Sequence, residues 1–311
     1  MDFKKFKKKA SYLAGWVALH VCTFFVRILP QSWLYNFAGG IASLGYCCAG
    51  KQRATALESL KVAFGDDKTD SQIEKVARDC FQYMSKSAIE LMFLMDKPAL
   101  LKTRVRFAQK ENLDMALAKG NGVILVSAHF GNFPLLLARL SQEGYNASGI
   151  MRPMRDERVE KLFQEKRDRF GVKTIYSVPR NTCVDLTIRQ LRANGIVFIP
   201  IDQNFGTAGV FVDFFGKQAA TATGPVIFAQ RTKAAIIPCF IVRQNDDTHV
   251  IYFEPPVGLA EGATSEEVIT RTIQKLTTVI ERYIRTYPAE WGWIHRRWKS
   301  KPSQTKGVEH G

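Results

Sequence analysis

Apolar and polar positions fall into two regimes along the chain. The first hundred residues read as helical. Ala10 to Val26 carries no formal charge over seventeen residues. Trp33 to Ala49 is a second apolar stretch, interrupted by Gly39, Gly40 and Gly45, each of which weakens a helix by about 1 kcal/mol. Arg53 to Phe64 sets Ala54, Leu57, Leu60 and Phe64 at helical spacing and closes on a Gly65-Asp66-Asp67 turn. Ser71-Gln72-Ile73-Glu74 has the form of a capping box. The helix it opens is predicted to run through Val76, Phe81, Ser85 and Ile89 to Met95, ending before Pro98.

From about residue 103 the rhythm changes. Val123 to Ser127, Ala147 to Met151, Ile196 to Ile201, Ala234 to Val242 and His249 to Phe253 are short apolar or β-branched runs bounded by turn residues, which predicts buried strands. Between and after them, Pro134 to Leu140, Glu157 to Phe170, Asp185 to Ala193 and Glu266 to Tyr287 keep a helical period. Strands alternating with helices predict an α/β fold, a sheet with helices on both faces. The sequence holds no internal repeat and no low-complexity segment.

Composition bounds the function more than the fold. At 46% hydrophobic and 23% charged, the chain is not a disordered polymer. Its net charge of +15 calls for nucleic acid, an anionic membrane surface or an acidic substrate. Position separates these. Five lysines, Lys4, Lys5, Lys7, Lys8 and Lys9, immediately precede the apolar run that holds Trp16. A signal peptide shares that layout, but no small-x-small cleavage site precedes Arg27. The segment is therefore predicted to be a helical membrane anchor, a short spanning helix or one lying in the interface, with its lysines facing the cytoplasm; the alternative is a buried N-terminal helix with a solvated lysine tail. Six cysteines without a C-x-x-C pair point to reduced thiols and exclude a disulfide framework or zinc site; Cys22 and Cys239 are expected to be buried.

The string Ser127-Ala128-His129-Phe130-Gly131-Asn132-Phe133-Pro134 concentrates the chemistry. A strand ends near a histidine, a glycine turn follows, and a proline suits the first turn of a helix. Ligands of open α/β sheets gather beyond the carboxyl ends of strands. There, a neutral His129 can take a proton from a hydroxyl, and N–H groups around Gly131 and Asn132 can steady an oxyanion. Asp202, again just past a strand, either orients His129 or is an ordinary turn residue; Gln203 follows it. Arg152 either holds an anion with its forked donors or is a surface arginine. Phe215 to Pro225 reads as a surface loop or an anion nest, and does not match a Walker loop. Trp291 to Lys299 mixes indoles with cations, so Arg296, Arg297 and Trp298 are expected at the headgroup level of a membrane. The alternative is stacking on nucleic-acid bases, disfavoured because the stretch matches no nucleic-acid module.

Taken in order, the basic start and apolar anchor, the Arg53-Ala54-Thr55-Ala56-Leu57 helix leading to Phe64, His129, Arg152-Pro153, Asp202-Gln203, the Phe214-to-Pro225 loop and Trp293-Ile294-His295-Arg296-Arg297 resemble the bacterial lipid A biosynthesis (lauroyl/myristoyl) acyltransferases, part of the lysophospholipid acyltransferase superfamily. The resemblance implies a glycerol-phosphate-acyltransferase-like mixed sheet flanked by helices, an acyl-ACP or acyl-CoA donor, a membrane lipid acceptor and no metal or organic cofactor. It implies His129 as base, and a place at the cytoplasmic face of the bacterial inner membrane on an anionic surface. No nucleic-acid partner is expected. The organisation expected is residues 1–30 as basic start and anchor, 31–100 as a helical region packed on the core, 101–302 as the α/β core and 303–311 as a loose tail. One departure stands out: the family places an acid five residues after its histidine, and here that position is Pro134. Either Asp202 has taken over the supporting role, the favoured account, or the chain is slower or uses another acceptor, or it is a silent relative that only binds lipid.

Overall fold

The computed structural model describes residues 3–302; the side chains of residues 3–11 and of Gln31 also lie outside that description, as do residues 303–311 and with them the expected tail. The helical first third is α1 (Phe3–Ile28), α2 (Gln31–Cys48), α3 (Gly50–Phe64), α4 (Asp70–Leu94) and α5 (Pro98–Arg104). α4 starts two residues earlier than its sequence suggested. Its capping box is Thr69 with Gln72, whose side chain accepts from the Thr69 N–H at 2.9 Å, so Ser71 lies inside the first turn. The three glycines of α2 are tolerated because the helix gains its stability from packing on α4, with Leu34, Ala38 and Ala42 buried.

The expected membrane anchor needs correcting. α1 is a helix, but among the described residues no helix is long and apolar enough to cross a membrane. Val26 is buried, and Trp16 receives the Arg158 guanidinium over its ring at 5.1 Å. The outward stripe Leu13, Val17, Val21, Phe24 and Ile28 stays exposed. Cys22, expected buried, is half-exposed, whereas Cys239 is fully enclosed.

The rest of the chain runs β1 (Val105–Ala108), α6 (Lys110–Leu117), β2 (Val123–Ser127), α7 (Phe133–Gln142), β3 (Ala147–Met151), α8 (Glu157–Arg169), β4 (Lys173–Tyr176), α9 (Arg180–Arg192), β5 (Ile196–Pro200), β6 (Val210–Phe214), β7 (Lys217–Thr221), α10 (Gly224–Thr232), β8 (Ala235–Arg243), β9 (His249–Phe253) and α11 (Ser265–Thr286). Among the described residues, seven strands form one mixed sheet in the order β1-β9-β8-β2-β5-β3-β4, with β8–β9 the antiparallel pair. β2 lies between β8 and β5 and is buried throughout, which is why it reads as a continuous apolar run.

Alternate residues of the central strands feed two cores. Ile124, Val126, Val197 and Ile199 pack with α9, α10 and α11 on one face. Val123, Leu125, Ile196 and Phe198 pack with α7 on the other. α11 contributes Ile273, Leu276, Ile280 and Ile284 at helical spacing to the first core. The Phe215-to-Pro225 stretch is not a surface loop. It supplies the turn and second strand of the β6–β7 hairpin, whose turn residues Phe215 and Gly216 both have positive φ, at 56° and 69°, as a tight hairpin turn requires. Ala219, Ala220 and Thr221 of β7 are buried.

The sheet also opens at one point. β5 stays paired with β2 as far as Ser127↔Pro200, and β3 with β4 as far as Met151↔Tyr176. Pairing between β3 and β5, however, ends at Gly149↔Phe198. The carboxyl ends of two neighbouring strands therefore part.

Candidate active site

His129 stands just beyond the carboxyl end of β2, and Asp202 just beyond that of β5, its neighbour. Adjacent parallel strands bring the two together across 73 positions of sequence. His129 Nδ1 lies 2.8 Å from Asp202 Oδ1, and the His129 backbone N–H donates to Asp202 Oδ2 at 2.9 Å. Trp291 Nε1–H donates to the same Oδ2 at 2.7 Å. The Asp202 side chain is wholly enclosed, while that of His129 retains 30% of its exposure.

Enclosure alone would raise the Asp202 pKa. The charge of His129 and the donors from His129 and Trp291 outweigh it and hold the carboxyl down at about 2, so it is ionised under all ordinary conditions. An ionised carboxylate only accepts. His129 must therefore donate through Nδ1, which leaves the Nε2 lone pair of the neutral ring as a proton acceptor. Burial disfavours the imidazolium, yet the Asp202 charge and hydrogen bond more than offset this and raise the His129 pKa above its ordinary value.

The Nε2 side faces Gln203, whose Nε2 is 3.1 Å from His129 Nε2 and 3.2 Å from His295 Nε2. One amide can serve both rings if each presents a lone pair. His295 fits that condition, because burial and the neighbouring His129 lower its pKa. Behind Gln203, Arg297 holds the loop, its Nη1 donating to the Gln203 carbonyl at 3.2 Å and to the Ala220 carbonyl.

A cavity of about 1040 Å³ opens beside His129. Its walls are mainly apolar, including Phe133, Pro134, Leu137, Ile150, Phe198 and Phe228, with Arg152 and Gln203 among its polar members. Pro134 thus forms apolar wall at the position where the resemblance implied an acid. Such a volume lies at the upper end of the roughly 300–1,000 Å³ usual for small-molecule sites.

Several expected site residues do other work. Gly131 adopts φ +59°, and a Cβ there would fall 1.9 Å from the Ile241 carbonyl oxygen, so only glycine fits. Its N–H donates to the Glu290 carbonyl at 2.9 Å and is not free for an oxyanion. Asn132 is buried and donates to the Ser87 carbonyl and to Glu90 Oε2, at 3.1 and 3.2 Å. It ties the histidine loop to α4 and does not face the cavity.

The membrane-contact assignments at the chain end are corrected likewise. Arg297 is 1% exposed, its pKa pushed down to about 10 by burial. Trp298 stacks on Phe214 and donates to its carbonyl at 3.2 Å. Both are consumed inside the protein, while Arg296 is exposed. Lys4 and Lys5 have side chains outside the described residues.

Trp291 and His295 were hidden from sequence reasoning in a stretch that looks membrane-facing. The signal that was there is chemical: a buried indole N–H needs an acceptor, and Asp202 supplies it. Also missed was a second polar cluster of Glu90, Arg243 and His249. Arg243 Nη2 donates to Glu90 Oε2 at 2.7 Å, and His249 Nε2 lies 3.0 Å from the same oxygen.

Residues 3–300 match the family model for bacterial lipid A biosynthesis acyltransferases. The chain is 26% identical over 254 residues, 79% of its length and 75% of the relative's, to a lipid A biosynthesis acyltransferase of Haemophilus influenzae. It is 23% identical over 303 residues, 94% and 92% of the two lengths, to the lipid A biosynthesis palmitoleoyltransferase of Escherichia coli K12. A phosphatidylinositol mannoside acyltransferase of Mycobacterium tuberculosis shares 27% identity over 205 residues, 64% of this chain and 61% of the relative. The chain belongs to the bacterial lipid A biosynthesis acyltransferase family, and it is an acyltransferase.

Proposed function

We propose that this protein moves a fatty acyl chain from an acyl thioester, acyl-ACP or acyl-CoA, to a hydroxyl of a membrane glycolipid, a lipid A precursor in the first place. The observation that carries the reading is the His129–Asp202 pair with its Nε2 side turned to a large apolar cavity. His129 Nε2 takes the proton of the acceptor hydroxyl as its oxygen attacks the thioester carbonyl. Asp202 stabilises the imidazolium so formed. The tetrahedral oxyanion draws on Arg152 and on the Gln203 amide, which turns from the histidines to the substrate. Collapse breaks the C–S bond, and the departing thiolate takes the proton back from His129. The products are an ester and a free thiol, with His129 neutral again.

The acid that the family places five residues after its histidine is dispensable here, because Asp202 already meets Nδ1. For the setting, α1 lies along the cytoplasmic face of the inner membrane. Its stripe of Leu13, Val17, Val21, Phe24 and Ile28 enters the headgroup boundary, and the lysines of the first nine residues meet anionic lipid. Residues 31–100 and 101–302 then act as a helical region and an α/β core.

A second reading, transfer to a phosphatidylinositol mannoside or a lysophospholipid, draws on the mycobacterial relative. The test is acyl transfer by purified protein with a labelled thioester and each acceptor in turn. Ester formation on the lipid A precursor supports the first reading. Ester formation confined to another acceptor replaces it with the second, and lipid binding without turnover of any donor refutes both.

A further inference from the structure

The cavity is wider than one face of the sheet. Its walls include Phe198 and Leu137 from the α7 core and Ile199, Cys183 and Phe228 from the α9–α10 core. Neighbouring residues of one strand point to opposite faces, so a cavity bounded by both Phe198 and Ile199 must reach both. The place where it does so is visible in the register. Pairing between β3 and β5 stops at Gly149↔Phe198, and Ile150, Met151, Ile199 and Pro200 beyond that point all line the cavity. Two apolar arms therefore meet at the split, next to His129.

The arms differ at their ends. The α7 arm runs towards Leu137, Gly149, Phe163 and Val172, with Leu137 and Val172 buried. Glu160 and Arg167 at its side satisfy one another as an ion pair, so neither offers a free charge. The α9–α10 arm is flanked by Arg180 and Arg231, both exposed and without an ion-pair partner among the described residues. Arg231 lies at the far end of α10, roughly 10 Å along the axis from Gly224.

Building on the acyl-transfer reading, we infer that the two arms hold two different chains: the transferred acyl chain in the α7 arm, and a chain already carried by the acceptor lipid in the α9–α10 arm. The terminal methyl of a thioester's chain is the part farthest from any charge, so it suits the arm whose flanking charges are already paired. An acceptor that bears anionic groups beside its chains suits the arm with two free guanidinium groups. Gly149 and Leu137 then set how much of the transferred chain fits. Gly149 bears no side chain where a Cβ would come within 2.9 Å of Leu137 Cδ1 and 3.2 Å of Met151 Cε. A methyl there takes cavity wall and displaces both neighbours.

The experiment is competition among a series of even-numbered saturated acyl thioesters, with chain length in the ester product read by mass spectrometry. Gly149→Ala is expected to move the optimum to a shorter chain, with about a tenfold loss for the longest donor relative to the wild type. Phe163→Ala, at a half-buried position of the same arm, is expected to move it to a longer one. Val184→Phe, in the α9–α10 arm, is expected to leave the donor profile in place and raise KM for the acceptor. An unchanged profile in both Gly149→Ala and Phe163→Ala overturns the assignment, as does a profile moved by Val184→Phe instead. Binding of unreactive thioether analogues, run in parallel, separates this claim from the reaction. If no acceptor is esterified but analogue binding still shortens its length preference in Gly149→Ala, the acyl-transfer reading fails and the arm stands.

Discussion

Two histidine–carboxylate pairs sit in this molecule at nearly the same distance, one through Nδ1 and the other through Nε2. His129 meets Asp202 at 2.8 Å, and His249 meets Glu90 at 3.0 Å. The two carboxylates even resemble one another in charge, because in each case partners outweigh burial and bring the pKa to about 2. What differs is access. His249 has no exposed side-chain surface, and Glu90 spends its second oxygen on Arg243 and Tyr35. His129 holds Asp202 through Nδ1, while its Nε2, beside the Gln203 amide, lies at the wall of a cavity. A close pair is thus evidence of a buried charge satisfied, and only an open side makes it a candidate for chemistry.

The sharpest way to break that contrast is to remove each histidine-bearing function in turn. His129→Ala is expected to lower kcat/KM by about 10³-fold with little change in melting temperature. Asp202→Asn is expected to cost a similar factor, because an amide cannot hold the Nδ1–H tautomer as a carboxylate does. At the other pair the pattern inverts. Glu90→Gln leaves Arg243 without its full counter-charge inside the protein. It is expected to destabilise the fold by about 3–5 kcal/mol, read by denaturant titration, while activity per folded molecule stays near the wild type.

pH sharpens the comparison further. The folded-state pKa of His129 is raised, so the protonated form is favoured by folding. Its contribution to stability is complete below the unfolded value and fades as pH rises through the folded one. Activity runs the other way, since the base must be neutral. The kcat/KM profile is expected to rise through a pKa above the ordinary 6.5 of histidine, and Asp202→Asn is expected to lower that pKa. A profile flat across this range contradicts a histidine base. The smallest effect belongs to Gln203→Ala, expected to reduce kcat by roughly five- to tenfold, as the loss of one neutral hydrogen bond does.

How much of this the sequence held depends on range. The β2, β5 and β8 strands and the α11 helix were legible because burial writes a local period, as in Val123 to Ser127 and in the spacing of Ile273, Leu276 and Ile280. The β6–β7 hairpin was not. Lys217 to Thr221 is rich in alanine and weak in β propensity, and its turn relies on Phe215 at positive φ. In the site, His129 and Asp202 could be named because each follows a strand. The wrong roles for Gly131, Asn132 and Arg297 have one cause. Sequence shows what a residue can donate, but the acceptors that claim it (Glu290, Glu90 and Ala220) lie far away in the chain.

The most direct test sets Asp202→Asn against Glu90→Gln in one acyl-transfer assay, with kcat/KM and unfolding free energy measured on the same preparations. The account expects Asp202→Asn to lose about 10³-fold in kcat/KM and Glu90→Gln to lose mainly stability. If the two variants behave alike, or if Asp202→Asn turns over near the wild-type rate, the His129–Asp202 pair is not the centre of the chemistry.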